Sequence, residues 1–134
     1  QNKKWQEKGL LYERVEVNLS AVQFNDSKKK KKIESVLKDT GIEPKYLDLE
    51  ITESVAVKEN SNVIEILNRL KELGVYISID DFGTEYSSLS RLKLLPIDRI
   101  KIDMQFIHGI EGNEKDQAIT KIIINLANGL NLKL

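Results

Sequence analysis

Asp80 and Asp81 are neighbouring carboxylates at the end of a segment in which Ile77 and Ile79 alternate with Ser78 and Asp80, and Phe82 and Gly83 follow them. Two like charges side by side at the end of a buried strand are costly unless something positive faces them, so a divalent cation is a natural counter-charge. The pair is equally compatible with an ordinary capping Asp in a strand-to-helix turn. Similar alternating segments carry Asn18, Glu50 and Lys101 near their C-terminal ends. Oxygen donors of this kind can hold one or two hard cations, and two such ions can activate a water and stabilise a leaving oxygen in phosphodiester hydrolysis. Lys101 would then neutralise phosphate charge or orient the water. The other reading of Lys101 is a buried ion pair with a neighbouring carboxylate.

Composition narrows the choice of chemistry. The 134 residues carry no cysteine and one histidine, His108, so thiolate zinc sites, iron–sulfur clusters and multi-histidine centres are out of reach. Any metal must be held by oxygen, which points to magnesium, manganese or calcium. With 21 basic and 21 acidic residues the net charge is +0, which argues against a binder of DNA or RNA polymers or of a membrane surface. No apolar run approaches the ~20 residues of a membrane span, and the polar stretch from Gln1 to Gly9 is no signal peptide. The expectation is a cytoplasmic segment. The first residue is not Met, which suits part of a longer product.

The elements that would position these groups can be read in chain order. A short helix tail containing Trp5, Leu10 and Leu11 leads into a first strand, Arg14 to Ser20, with Val15, Val17 and Leu19 on one face and Glu16, Asn18 and Ser20 on the other. The run Lys28 to Lys32 reads as the solvated face of a helix whose Ile33, Val36 and Leu37 form the inner stripe before Gly41. Tyr46 to Thr52 is the second strand. A helix capped by Asn60 or Ser61 follows, with Val63, Ile66, Leu67, Leu70 and Leu73 at helical spacing and Gly74 at its end. After the third strand, Thr84 to Ser88 is a loop and Leu89, Leu92 and Leu95 mark a brief helix stopped by Pro96. Asp98 to Asp103 is the fourth strand. From Asp116 onward, Ile119, Ile122, Ile123, Leu126 and Leu130 describe a last helix, with Gly129 loosening its end.

Strands alternating with helices predict βα units in a parallel sheet, an α/β fold. Each strand pairs an aliphatic face with a polar face carrying Asn18, Glu50, Asp80 or Lys101, and in a (β/α) barrel that parity converges on the top of the interior, where sites are built. An antiparallel sheet with one wet face would give the same alternation without needing the intervening helices.

The segments V-N-L-S (17–20), L-E-I-T-E-S (49–54), D-D-F-G-T-E-Y-S-S-L (80–89) and L-P-I-D-R-I-K-I-D (95–103), in this order and spacing, closely resemble the EAL-domain family. That resemblance implies about four βα units of a modified (β/α)8 TIM-type barrel, and the activity of a cyclic di-GMP phosphodiesterase that uses Mg2+ or Mn2+ to open the dinucleotide to linear pGpG. It implies Asn18, Glu50 and Asp80 as metal ligands, Asp81 as the residue serving the second metal or its water, Lys101 as the active-site and substrate-binding lysine, and Glu53 as the glutamate that anchors the loop after Asp81. Asp103 and the Thr84–Ser88 loop are carried over for positioning and dimer contact. The partners so implied are cyclic di-GMP, further copies of the chain, and sensory or cyclase domains in a parent protein.

The departures from the family pattern set further expectations. The Glu-Ala-Leu strand is expected before Gln1, and the later strands, with the glutamate thought to act as general base, after Leu134. Residues 1–134 therefore read as an incomplete EAL domain, inactive alone, with both outer strands exposing unpaired edges. Glu85 stands where relatives carry Gly, which a side chain could not replace if the position needed a glycine conformation. A catalytically degenerate module that binds cyclic di-GMP or a protein partner is the alternative function.

Overall fold

The computed structural model describes residues 4, 7–9, 14–20, 28–58, 61–85 and 88–134. Strand β1 (Val15–Leu19) is followed by α1 (Lys28–Thr40), a 3-10 turn at Pro44–Tyr46, β2 (Leu47–Thr52), α2 (Glu53–Ala56) and α3 (Ser61–Glu72). Then come β3 (Tyr76–Phe82), α4 (Leu89–Leu92), β4 (Arg99–Ile102), α5 (Met104–His108) and α6 (Glu114–Gly129). The helix tail expected around Trp5, Leu10 and Leu11, the cap at Asn60 and the loop positions 86–87 lie outside the described residues.

The sheet order is β1-β2-β3-β4 and every neighbouring pair is parallel. Parallel neighbours require crossovers, which α1, α3 and α4 supply, so the antiparallel alternative is excluded. A doubly wound sheet reverses its strand order at a switch point, whereas a barrel keeps adding strands in one direction. The unbroken order is that of a partial (β/α)8-type barrel.

The aliphatic faces of the strands supply the core. Leu49, Ile51, Ile77, Ile79 and Ile100 are buried against Val63, Leu67 and Leu70 of α3 and Ile123 and Ala127 of α6, each large side chain contributing about 2 kcal/mol. Both α1 and α3 end at a glycine in the left-handed region, Gly41 and Gly74, as their spacing predicts. Lys28, Lys31 and Lys32 are exposed while Ile33 and Leu37 turn inward, so the lysine run is a solvated helix face.

Three features differ from the sequence reading. Val17, expected inside with Val15 and Leu19, is 41% exposed, because β1 is the edge strand among the described residues. An apolar groove of about 270 Å³ opens there between Val17 and Leu49 of the sheet and Ile33 and Val36 of α1. The end of α6 is made by Asn131 at φ 56°, not by Gly129. With Leu132 N donating to Ala127 O at 2.8 Å, the chain turns back onto the sheet. The outer edge of β4 is consequently not bare: Lys133 forms a parallel bridge with Arg99, and its carbonyl accepts from Ile100 N at 2.8 Å.

Candidate phosphodiester and metal site

Parallel register places the polar residues in rows across the sheet. Asn18 lies beside Glu50, Glu50 beside Ser78, and Ser78 beside Arg99. One row nearer the strands' C-terminal ends, Thr52 lies beside Asp80; one row the other way, Glu16 lies beside Asp48 and Asp48 beside Tyr76. Because a strand alternates faces every residue, all these side chains belong to the face opposite the aliphatic core.

That face holds a continuous charged network. Asp48 is fully buried, with Ser78 Oγ 2.8 Å from both of its carboxylate oxygens and Arg99 Nη2 donating to Oδ2 at 2.6 Å. Arg99 also donates to Ser78 Oγ at 3.1 Å and to Glu16 Oε1 at 2.5 Å. Lys101 Nζ donates to Glu50 Oε1 and, at 3.1 Å, to Glu16 Oε2. Lys101 therefore does form the part-buried ion pair weighed above as its alternative, and it forms it with a candidate metal ligand. Glu16, Asp48, Ser78 and Arg99 are not singled out in the sequence reading, although each shares strand parity with Asn18, Glu50, Asp80 or Lys101.

The site's titration behaviour reflects burial first and the neighbouring charges second. Burial pushes the Glu50 carboxyl above its ordinary value; the Lys101 bond opposes this, and the charges of Glu16 and Asp80 push it further up. Burial likewise raises Asp48, against the pull of Ser78 and Arg99. Asp81 is raised by burial first and then by Asp80 and Asp103. Glu16 goes the other way, held down by its bonds to Arg99 and Lys101. For Lys101, burial works to lower the ammonium's pKa, but the bonds to Glu50 and Glu16 outweigh it.

A bulge sets the geometry of the aspartate pair. Between Ile79 and Phe82 the register shifts: Ile79 pairs with Ile100 but Phe82 pairs with Ile102, so β3 carries one extra residue against β4. Asp81 is at φ 56°, left-handed backbone that Asp tolerates better than most side chains. Its amide donates to Asp80 Oδ1 at 3.0 Å, and its carbonyl accepts from Thr84 Oγ1 at 2.9 Å. Asp80 thus stays on the polar face, Asp81 is exposed, and Phe82 returns to the core.

The next turn is tied down from α2, directly after β2. Glu53, at the start of α2 and 1% exposed, accepts from the backbone amides of Gly83 at 2.8 Å and Glu85 at 3.0 Å, both on Oε2. Gly83 sits at φ 104°, where a Cβ would lie 2.7 Å from Phe106 Cε2 and 3.1 Å from Ile123 Cδ1. Among the described residues only Asp81 and Asn131 combine a side chain with positive φ, so Glu85 occupies its loop position without left-handed strain. Asp103 accepts from Gln105 N at 2.9 Å as the N-cap of α5, and its amide donates to Phe82 O at 3.2 Å.

The donor set fits a hard cation in kind: the Asn18 amide and the Glu50, Asp80 and Asp81 carboxylates lie near one end of the sheet, and the Glu50 and Asp81 carboxyls are raised by burial first and then by the charge of Asp80, a repulsion that a positive ion relieves. Glu50 is engaged by Lys101, and among the described residues no three His, Cys, Asp or Glu form a group that could hold a metal ion. No described helix is long and apolar enough to cross a membrane.

Comparison with known proteins accords with this arrangement. MucR of Pseudomonas aeruginosa, named a bifunctional diguanylate cyclase/cyclic di-GMP phosphodiesterase, is 42% identical over 130 residues, covering 97% of this chain and 19% of its own length. The solved structure of the PaMucR phosphodiesterase in complex with c-di-GMP superposes with a TM-score of 0.92 at 41% identity, covering 97% of this chain and 53% of that one. Klebsiella pneumoniae BlrP1, solved as a manganese/c-di-GMP complex, shares the fold at 24% identity and a TM-score of 0.84, covering 97% of this chain and 33% of that one. The chain thus spans about a fifth of its curated relative's length. The four quoted motifs stand on or directly beside four consecutive parallel strands, and the EAL domain family model matches residues 1–134 throughout, so this chain belongs to the EAL domain family.

Proposed function

We propose that the chain is part of an EAL domain that hydrolyses cyclic di-GMP to linear pGpG with a divalent cation, Mg2+ or Mn2+. The observation that carries this reading is the placement of Asn18, Glu50, Asp80 and Asp81 near the C-terminal end of adjoining parallel strands, with Lys101 against Glu50. The match to proteins named as cyclic di-GMP phosphodiesterases supports it. Asn18, Glu50, Asp80 and Asp81 would hold the cation, which when bound lowers the pKa of water and stabilises charge on the leaving oxygen. Lys101 would meet the phosphodiester's negative charge. Glu53 acts through the loop, fixing Gly83 and Glu85 and so the two aspartates before them. Opening the ring adds one water: a P–O bond forms to the water oxygen, the bond from phosphorus to one 3′ oxygen breaks, and that oxygen takes up a proton.

A second reading, binding of cyclic di-GMP or a protein partner without hydrolysis, draws on the pairing of Glu50 with Lys101 in place of a ready group of ligating carboxylates. One experiment separates the two. The chain is incubated with cyclic di-GMP and Mn2+, with and without EDTA, bound nucleotide is measured by equilibrium dialysis and products by chromatography, and Asp80→Asn serves as control. Linear pGpG that vanishes with EDTA and in D80N supports hydrolysis. Mn2+-dependent binding without product supports the second reading, and absence of both from folded protein refutes the two together.

We also propose that the 134-residue piece is an incomplete domain whose copies associate through the edge of β1, which among the described residues has no outer neighbour and borders the apolar groove beside Val17. A monomer by light scattering with a sharp cooperative melt refutes this.

A further inference from the structure

Lys101 stands between two carboxylates. Its ammonium donates to Glu50 on β2 and, at 3.1 Å, to Glu16 Oε2 on β1. Glu16 belongs to none of the motifs shared with the family, and the function proposed above gives it no task. It is nevertheless held firmly: its other oxygen accepts from Arg99 Nη2 at 2.5 Å, and Arg99 is itself fixed by the fully buried Asp48 at 2.6 Å and by Ser78 Oγ at 3.1 Å. One oxygen is held by the part-buried Arg99 guanidinium, and the second meets Lys101.

That arrangement matters because Glu50 cannot serve an ammonium and a divalent cation at once without bringing two positive charges into contact. When a cation takes Glu50, the part-buried ammonium needs another acceptor or must leave for solvent. We propose that Glu16 is a positioning residue that holds the Lys101 ammonium beside the site while Glu50 binds the cation. This rests on the metal reading given above. Glu16 thereby lowers the cost of metal binding and keeps Lys101 within reach of a phosphate, without itself touching metal or substrate.

The test is a double-mutant cycle on the full 134-residue chain, reading Mn2+ affinity from the loss of the free-ion electron paramagnetic resonance signal. Glu16→Gln is expected to weaken Mn2+ binding about tenfold, the size of one charge-assisted contact. In a Lys101→Met background the same substitution is expected to cost less than about threefold, since no ammonium remains to be held and only a screened distant charge is lost. Glu16→Asp, which keeps the charge, is expected to recover part of the affinity, with far-UV circular dichroism confirming the fold of every variant. An equal loss in both backgrounds overturns the proposal, because it makes Glu16 a ligand or a general source of negative potential. No loss in E16Q overturns it as well. Failure of the wild-type chain to bind Mn2+ is a different result, overturning the metal reading and this proposal with it.

Discussion

Glu53 offers the most direct check on how the site is held together. Its Oε2 accepts from two backbone amides, Gly83 N at 2.8 Å and Glu85 N at 3.0 Å, and the side chain is 1% exposed. Glu53→Ala removes the acceptor and leaves two amides short of a partner where water has little access. At about 1–3 kcal/mol for each of the two donors stranded in this way, the loss comes to roughly 2–6 kcal/mol. That is a large share of the roughly 5–15 kcal/mol that stabilises an ordinary domain. Glu53→Gln is different. Both of these bonds fall on one oxygen, so a glutamine carbonyl can accept both, and the extra strength of a charged acceptor disappears, about 1–2 kcal/mol. Urea denaturation of the three chains measures the difference, and hydrogen exchange locates it. E53A should speed exchange of the Gly83 and Glu85 amides well beyond the change at α3, while E53Q should speed it modestly. Equal destabilisation by the two variants, or unchanged exchange at Gly83 and Glu85 in E53A, would refute the view that Glu53 works as a hydrogen-bond acceptor for this loop.

Two further outcomes follow from the same region. Gly83→Ala should destabilise by at least about 2 kcal/mol in chemical denaturation, since φ 104° disfavours any side chain and the added methyl meets Phe106 at 2.7 Å. A neutral result would mean that the turn relaxes freely. Asp48 tests the buried network through pH. Burial holds its folded-state pKa above the ordinary 3.8, so the folded chain keeps that proton where the unfolded chain has lost it. Stability from this group is then greatest below 3.8 and declines as pH rises through the raised folded value. The stability of wild type minus that of Asp48→Asn should fall with pH across that window in urea titrations, and a rise would mean that Arg99 and Ser78, not burial, dominate.

The strands were legible in the sequence because alternation is a local signal. Each expected strand matches an observed one with ends differing by a residue or so, as β2 does at Leu47–Thr52. The stripe of α3 and the inward Ile33 and Leu37 of α1 were legible for the same reason, whereas Val36, read into the same stripe, is 47% exposed. Short elements were not: α5 spans Met104–His108, too few residues to show a period, and its cap Asp103 reads as the last residue of a strand. The last helix begins two residues before its expected start at Asp116 because Asn113 caps it, accepting from Lys115 N and Asp116 N. The site was legible as a set of residues on one parity, but stagger between strands was not. Without it, nothing indicates that Arg99 reaches Asp48 and Glu16, or that Lys101 reaches Glu50. Edge position is equally silent, so Val17 reads as core.

The bulge at Asp81 has a consequence for how the site can vary. Up to Asp80 the even-numbered residues of β3 face the polar side; one residue later the frame changes, and Phe82 joins the core at 5% exposure. The strand is in effect written in two frames joined at Asp81. Replacing the residue there alters the chemistry on offer and leaves the joint in place. Deleting it would restore one frame throughout: Phe82 would follow Asp80 directly and keep its place in the core by plain alternation, still opposite Ile102, while the second carboxylate would be lost. The bulge is therefore how the core tolerates the site: one added residue lets two consecutive carboxylates stand off the core face while Phe82 and Gly83 keep the places that the packing beneath them requires.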